Sequence, residues 1–217
     1  MSAVEIKICG ITRVEDALAA IDAGAAMLGL NFFPSSPRCI TLPQAQGIAK
    51  AVAGRAKLAG VFVNQDAAQV IDIARAVPLD AVQLHGNESA EYCRRVAAYM
   101  AVIRALKADG GFSPAQAAAY AGCRGLLLDT PCQGYGGSGT AFRWAEIDWS
   151  GLRAAVPAAK LFLAGGLDAA NVGAAIAAAH PDVVDVCSGV ESAKGIKSVK
   201  KMQEFVAAVR AAERQLP

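Results

Sequence analysis

The chain has 217 residues, which suits one compact domain or a barrel near the small end of its size range. Hydrophobic residues make up 54%, enough for a large core, and 21 basic and 19 acidic side chains give a net charge of +2. The basic residues are scattered, which argues against a nucleic-acid partner, and no apolar run approaches membrane-spanning length.

The six cysteines are spread along the chain without a Cys-x-x-Cys motif, and only His85 and His180 could join them as ligands. We therefore expect no metal site. Several cysteines lie inside apolar runs, as reduced buried thiols do. The N-terminal residues predict a strand rather than a signal peptide, so we expect a cytoplasmic protein with no membrane partner.

Eight short runs rich in Val, Ile and Leu recur along the chain and predict β-strands: Val4–Cys9, Ala26–Phe32, Lys57–Val63, Ala81–Leu84, Ala101–Lys107, Gly125–Asp129, Lys160–Ala164 and Val183–Cys187. Alanine-rich segments between them predict helices: Glu15–Ala23, Pro43–Val52, Ala67–Ala76, Glu88–Ala97, Pro114–Ala121, Ala169–Ala178 and Ser198–Ala212. In the sixth connection a Gly-rich loop precedes the stretch Phe142–Leu152, where a helix is less clear.

This alternation predicts an α/β fold with eight βα units and a parallel sheet that is covered on both faces. No linker divides the chain, so we expect a single catalytic domain over residues 1–217. The fold class that fits best is a closed (β/α)₈ TIM barrel, with an open doubly wound sheet as the alternative.

In such a barrel, chemistry belongs at the C-terminal ends of the strands. Cys9 ends the first strand, and alternation places it on the same face as Lys7. A nearby ammonium would favour the thiolate, which could act as a base or nucleophile. The alternative is a small buried thiol without a role.

Asp129 ends the sixth strand after three leucines. We expect its carboxyl group to be poorly solvated, which would suit a general acid. The structural alternative is a helix cap or a partner for Arg124 or Arg143.

Three more side chains at strand ends are candidates for substrate binding. Arg38 follows the second strand in a loop stiffened by two prolines and could grip a carboxylate, or it could be an exposed surface arginine. His85 could take part in acid–base chemistry or bond to a neighbouring strand. Asp185 could accept a substrate N–H or hydroxyl, or it could pair with Lys7 inside the barrel.

Two glycine turns follow successive strands late in the chain. Gly165 and Gly166 end the seventh strand, and Ser188 and Gly189 follow the eighth. Backbone N–H groups can approach an anion closely at glycine turns, so this pair predicts a phosphate-binding site.

The segment Gly134–Gly139 matches G-x-G-x-x-G. It begins five residues past a strand end and lacks an acid about 20 residues on, so we interpret it as an active-site flap rather than a dinucleotide site.

Taken together, the chain resembles phosphoribosylanthranilate isomerases. The resemblance extends over nearly the whole length and rests on these segments: Lys7–Thr12, Ser36–Arg38, Val82–Gly86, Leu128–Thr130, Gly136–Gly139 with Phe142 and Trp144, Leu163–Leu167, and Asp185–Glu191.

The resemblance implies an Amadori rearrangement in tryptophan biosynthesis, with Asp129 as acid and Cys9 as base. It also implies that Arg38 holds the anthranilate carboxylate and that Asp185 lies near the anthranilate amine. The phosphate would bind at Gly165, Gly166, Ser188 and Gly189. No cofactor is implied, because the substrate supplies the nitrogen of the Schiff base.

Two other functions remain open at this point. One is a related sugar-phosphate barrel isomerase of histidine biosynthesis, which would need a second anion site and an aspartate base on the first strand. The other is a non-catalytic barrel that binds a phosphorylated ligand. In each case the partner is a small phosphorylated molecule, and the chain could be a monomer or a homodimer.

Overall fold

The computed structural model describes residues 3–108, 112–129, 144 and 147–216. Eight parallel strands form a closed barrel, and each strand pairs with its neighbours in chain order. The strands are Glu5–Cys9 (β1), Met27–Asn31 (β2), Lys57–Phe62 (β3), Ala81–Leu84 (β4), Ala101–Lys107 (β5), Gly125–Asp129 (β6), Lys160–Leu163 (β7) and Val183–Val186 (β8).

Helices alternate with these strands along the described chain. They are Val14–Ala23 (α1), Leu42–Val52 (α2), Ala67–Ala76 (α3), Ala90–Ala97 (α4), Pro114–Ala118 (α5), Trp149–Ala155 (α6), Val172–Ala179 (α7) and Val199–Glu213 (α8). The predicted (β/α)₈ fold is therefore confirmed. The uncertain helix of the sixth connection is α6, and the predicted flap at Gly134–Gly139 lies outside the described residues.

The pairing of β1 with β8 closes the sheet and rules out the open doubly wound alternative. Ile6 lies opposite Val184 and Lys7 lies opposite Asp185 across this last pair of strands. Closure leaves the described barrel strands without free edges, so their backbone donors and acceptors bond within the sheet.

Period-two alternation divides the strand side chains into two layers. Ile6 and Ile8 belong to the large apolar layer between sheet and helices. A smaller second cluster fills the barrel itself and consists of Met27, Ala59, Ala81, Ile103, Ala105, Leu127, Phe162, Ala164 and Val183. Lys7 has no exposed surface and lies on the inward face, as alternation predicts.

Side-chain hydrogen bonds to the backbone explain why α4 and α7 begin later than the sequence predicts. Ser89 caps α4 by accepting a hydrogen bond from the Tyr92 N–H, so the helix begins at Ala90 rather than at Glu88. In front of α7, Asp168 accepts hydrogen bonds from the N–H groups of Ala170 and Asn171, which forms a turn before the helix.

A short antiparallel hairpin follows β8 and was not predicted. A 3₁₀ turn at Ser188–Val190 leads into Glu191–Ala193 (β9), which pairs with Ile196–Lys197 (β10). The Thr12 hydroxyl donates to the Gly195 carbonyl at 2.5 Å, and the Lys197 N–H donates to Asp16 at 3.1 Å. These bonds attach the hairpin to the loop after β1 and to α1, at the C-terminal mouth of the barrel.

Within the described part of the chain, no helix has the length and hydropathy needed to span a membrane.

Candidate active site

Lys7 and Asp185 form an ion pair inside the barrel, directly below its mouth. Lys7 Nζ donates to Asp185 Oδ2 at 2.9 Å, and the lysine side chain has 0% exposed surface. Burial raises the pKa of Asp185 to about 7, against the opposing effect of the nearby ammonium. Asp185 Oδ1 is buried and has no hydrogen-bond partner among the residues that the structure describes. This oxygen is therefore available to accept a bond from a ligand.

The thiol of Cys9 lies among groups that favour its ionised form. Hydrogen bonding from Cys187 and the charges of Lys7 and Lys197 outweigh burial and hold the pKa of Cys9 well below its ordinary value. Lys197 is also close to Cys187, with Nζ 3.8 Å from its Sγ. The expected effect of Lys7 on Cys9 is thus present, and Cys187 adds a larger effect that the sequence did not reveal.

Asp129, His85 and Gln83 form a hydrogen-bonded chain across β6 and β4. Gln83 Nε2 donates to His85 Nδ1 at 2.7 Å, so the proton of neutral His85 is on Nε2 and is donated to Asp129 Oδ2 at 3.1 Å. Burial opposes protonation of His85, but the hydrogen bond and charge of Asp129 outweigh it and raise the pKa of His85.

The surroundings of Asp129 differ from those expected from its apolar strand. Its side chain is 39% exposed, so the expectation of a poorly solvated carboxyl group is wrong. The leucines before it point into the packed layers, whereas the strand end opens into the mouth of the barrel. Its partner is His85 rather than Arg124, and Arg143 lies outside the described residues.

Arg38 is held by an acid that lies 153 positions away in the chain. Its Nε and Nη2 donate to the two carboxylate oxygens of Glu191 at 2.7 and 2.6 Å. The arginine side chain is only 20% exposed, so it is not a free surface arginine. Gly10, at a φ of +73°, makes room for it, because a Cβ at Gly10 would lie 2.6 Å from Arg38 Cδ.

The two glycine turns of the predicted phosphate site lie against each other. Gly165 and Gly166 have φ values of +90° and +63°, which side-chain-bearing residues rarely adopt. A Cβ at Gly189 would lie 2.0 Å from the carbonyl oxygen of Leu167. Glycine is therefore required at position 189 for the turn after β8 to approach the turn after β7.

A cavity of about 270 Å³ opens beside Asp129 at the C-terminal ends of β4 to β6. His85 and Lys107 also line it. A larger cavity, of about 730 Å³, lies at the opposite end of the barrel, where Val4, Asp182 and Arg210 are among its lining residues. The larger one contains none of the candidate residues, so we place the chemistry at the smaller one.

The structure adds residues that the sequence did not single out. In the sequence, Glu191 only ends one of the segments that carry the resemblance, Lys107 only ends a predicted strand, and Lys197 belongs to no candidate site. In the ranges that the structure describes, no cluster of His, Cys, Asp and Glu side chains is arranged to hold a metal ion.

Acidic and thiol groups at the C-terminal mouth of a closed (β/α)₈ barrel, beside a pair of close glycine turns, define an acid–base enzyme of the TIM-barrel class. The comparisons with known proteins narrow this class. The family described as N-(5'phosphoribosyl)anthranilate (PRA) isomerase matches residues 6–208.

Individual relatives agree with the family match. An N-(5'-phosphoribosyl)anthranilate isomerase of Pseudomonas fluorescens SBW25 is 46% identical, with 97% of each chain covered. The crystal structure of the Thermotoga maritima phosphoribosyl anthranilate isomerase matches at 38% identity and a TM-score of 0.88, over 96% of this chain and 99% of that one. A further structure, of an isomerase with reduced 1-(o-carboxyphenylamino)-1-deoxyribulose 5-phosphate, matches at 35% identity and a TM-score of 0.82, over 96% of this chain and 99% of that one.

The chain belongs to the N-(5'-phosphoribosyl)anthranilate isomerase family. This assignment decides against the related isomerase of histidine biosynthesis.

Proposed function

We propose that Cys9 is the base and Asp129 the acid with which this enzyme converts N-(5'-phosphoribosyl)anthranilate to 1-(2-carboxyphenylamino)-1-deoxyribulose 5-phosphate, an aldose–ketose isomerisation of tryptophan biosynthesis. Asp129 would protonate the furanose ring oxygen and open the ring to a Schiff base. Cys9 would then remove the C2′ proton, and the resulting enolamine would tautomerise to the ketone. The substrate brings its own nitrogen, so this route uses no cofactor.

The observation that carries the proposal is the position of both groups at the C-terminal mouth of the barrel, at the ends of β1 and β6. Cys9 lies beside Lys7, and its pKa is held well below the ordinary value, which supports a thiolate that accepts a proton. Asp129 borders the cavity and accepts a hydrogen bond from His85, which supports a carboxyl group of fixed orientation.

The binding residues have roles that follow from their chemistry. Arg38 would take the anthranilate carboxylate, and the buried, unpartnered Oδ1 of Asp185 would accept the N–H of the anthranilate amine. The phosphate would bind to the backbone N–H groups of the two glycine turns, at Gly165, Gly166, Ser188 and Gly189. The contact between these turns supports a single compact anion site.

The replacement Asp129→Asn tests the acid. It keeps the shape of the side chain but removes the proton that is donated, so we expect kcat to fall by about 10²–10⁴-fold. The affinity for the reduced product analogue should stay within about twofold, since binding does not use this proton. Turnover is followed by the loss of anthranilate-conjugate fluorescence.

A matched control is Asp182→Asn, which alters an arginine-paired aspartate at the opposite end of the barrel. This variant should retain the kcat of the wild type. An Asp129→Asn enzyme with normal kcat would remove Asp129 from the mechanism.

We also infer that the enzyme works in the cytoplasm as a monomer or homodimer. The five cysteines within the described residues are all free, which fits a reducing compartment. One of the matching structures is described as mutually generated monomers of the dimeric isomerase from Thermotoga maritima, so subunit number is open to change in that relative. Light scattering on the purified protein distinguishes the two states.

A further inference from the structure

Glu191 occupies one edge of the Arg38 guanidinium and leaves the other edge open. A guanidinium carries five N–H groups in a planar fork. Glu191 accepts one from Nε and one from Nη2, at 2.7 and 2.6 Å. Among the described residues no acceptor bonds to Nη1, so both of its N–H groups and the second one on Nη2 remain for a ligand. That open edge can hold a second carboxylate in the same two-bond geometry.

Lys197 completes the charge balance around Glu191. Its Nζ donates to Glu191 Oε1 at 3.0 Å, and its side chain has 0% exposed surface. Burial opposes ionisation of Glu191, but hydrogen bonds from Arg38 and Lys197 outweigh it and keep its pKa below the ordinary value. Arg38 and Lys197 therefore hold Glu191 as a carboxylate between two cations.

The hairpin fixes this cluster relative to the rest of the mouth. Glu191 and Lys197 are direct partners across β9 and β10, and the Gly195 N–H at the tip donates to Glu191 Oε1 at 3.3 Å. Arg38 reaches the cluster from the loop after β2, passing over Gly10. A long arginine side chain that is tied at one edge loses little further freedom when a ligand binds at the other.

We propose that Glu191, supported by Lys197, is a positioning residue that aims the open edge of Arg38 at the anthranilate carboxylate and so determines selectivity for the carboxylated substrate. This inference rests on the proposed role of Arg38. The competing explanation is an ion pair that only fastens the hairpin to the barrel, which would affect stability but not the choice of ligand.

The test compares two ligands by isothermal titration calorimetry. One is reduced 1-(o-carboxyphenylamino)-1-deoxyribulose 5-phosphate, and the other is the same compound without the ring carboxylate. For Glu191→Gln we expect the Kd of the carboxylated ligand to rise by about tenfold or more. The Kd of the decarboxylated ligand should change by less than about twofold. With substrate, KM should rise by a similar factor while kcat stays within about threefold.

Two further variants keep the test decisive. Glu191→Asp retains the charge but shortens the side chain by one methylene, so it should give the same selective loss even if Glu191→Gln does not fold. Asp182→Asn, the matched replacement at the far end of the barrel, should change neither Kd.

Equal weakening of both ligands would overturn the proposal, as would a Glu191 variant that binds both ligands normally. The variant Arg38→Met separates this failure from a failure of the proposed function. If Arg38→Met weakens both ligands equally, the carboxylate does not bind to Arg38, and the proposed roles of Arg38 and Glu191 are both wrong. If it weakens only the carboxylated ligand while Glu191→Gln has no effect, only the positioning role of Glu191 is wrong.

Discussion

Replacing Asp185 with Asn should expose the electrostatic cost of a lysine buried inside the barrel. Lys7 Nζ lies 2.9 Å from Asp185 Oδ2 and has no contact with solvent. Burial lowers the pKa of Lys7, but the charges of Asp185 and Cys9 outweigh this effect and raise it above its ordinary value. Asp185→Asn removes the charge that has the larger effect on the pKa of Lys7. The ammonium must then either stay buried without a carboxylate or lose its proton.

The loss of folding free energy in Asp185→Asn can be worked out for both states of Lys7, the buried ammonium and the neutral amine. Removing one partner of a buried ion pair costs about 3–5 kcal/mol. Deprotonating a lysine of ordinary pKa about 10.4 at about pH 7.5 costs about 4 kcal/mol. Because the thiolate of Cys9 still favours the ammonium, we expect a loss near the lower end, about 3 kcal/mol.

The same replacement should change how stability depends on pH. With Asp185 gone, the pKa of Lys7 in the folded variant falls below that in the unfolded chain, so the unfolded state binds more protons. Stability then rises with pH by up to about 1.4 kcal/mol per unit. Between about pH 7.5 and about pH 9 the variant should recover about 1–2 kcal/mol relative to the wild type, whose Lys7 stays protonated across this range.

The assay is urea unfolding followed by circular dichroism at both pH values. The double variant Lys7→Met with Asp185→Asn removes both charges and serves as the control, and its stability should lack this pH dependence. A loss below about 1 kcal/mol, or a deficit that is the same at both pH values, would refute the reasoning.

Two further predictions concern the thiols and the glycine turns. At about pH 7 iodoacetamide should modify Cys9 faster than Cys93. The pKa of Cys9 is lowered, whereas hydrogen bonding with a neighbouring thiol and burial raise the pKa of Cys93. Peptide mass spectrometry measures both rates, and equal rates would contradict a thiolate at Cys9. Gly189→Ala places a methyl group against the Leu167 carbonyl and should weaken binding of the reduced product analogue by about tenfold. The control Gly173→Ala, whose Cβ would meet nothing closer than 3.8 Å, should bind normally, and a similar loss in both variants would argue against a special role for position 189.

The apolar runs predict the barrel strands well because burial on both faces leaves a strong signal. The bounds of β4, β5 and β6 agree with those predicted, β2 is one residue shorter at each end, and the other strands differ by one residue at one end. The inward position of Lys7 also followed from alternation, since a strand has only two faces.

The sequence does not predict contacts between segments that lie far apart in the chain. The pairing of Arg38 with Glu191 joins the loop after β2 to the hairpin after β8, and no spacing rule connects positions 153 residues apart. The hairpin itself has strands of three and two residues, too short to show a period. For Asp129, the sequence predicts its position at a strand end but not the opening of the barrel mouth around it.

The short segment 188–197 has a consequence for ligand size. It carries Ser188 and Gly189 of the phosphate turn at one end and Lys197 at the other, with Glu191 between them. If both proposed anion sites are correct, this one segment of ten residues contributes to each of them and so helps to set the distance between them. A change in the length of this segment would then change the distance between the phosphate site and the carboxylate site. It would alter the length of ligand that binds to both sites, without any change to the acid or the base.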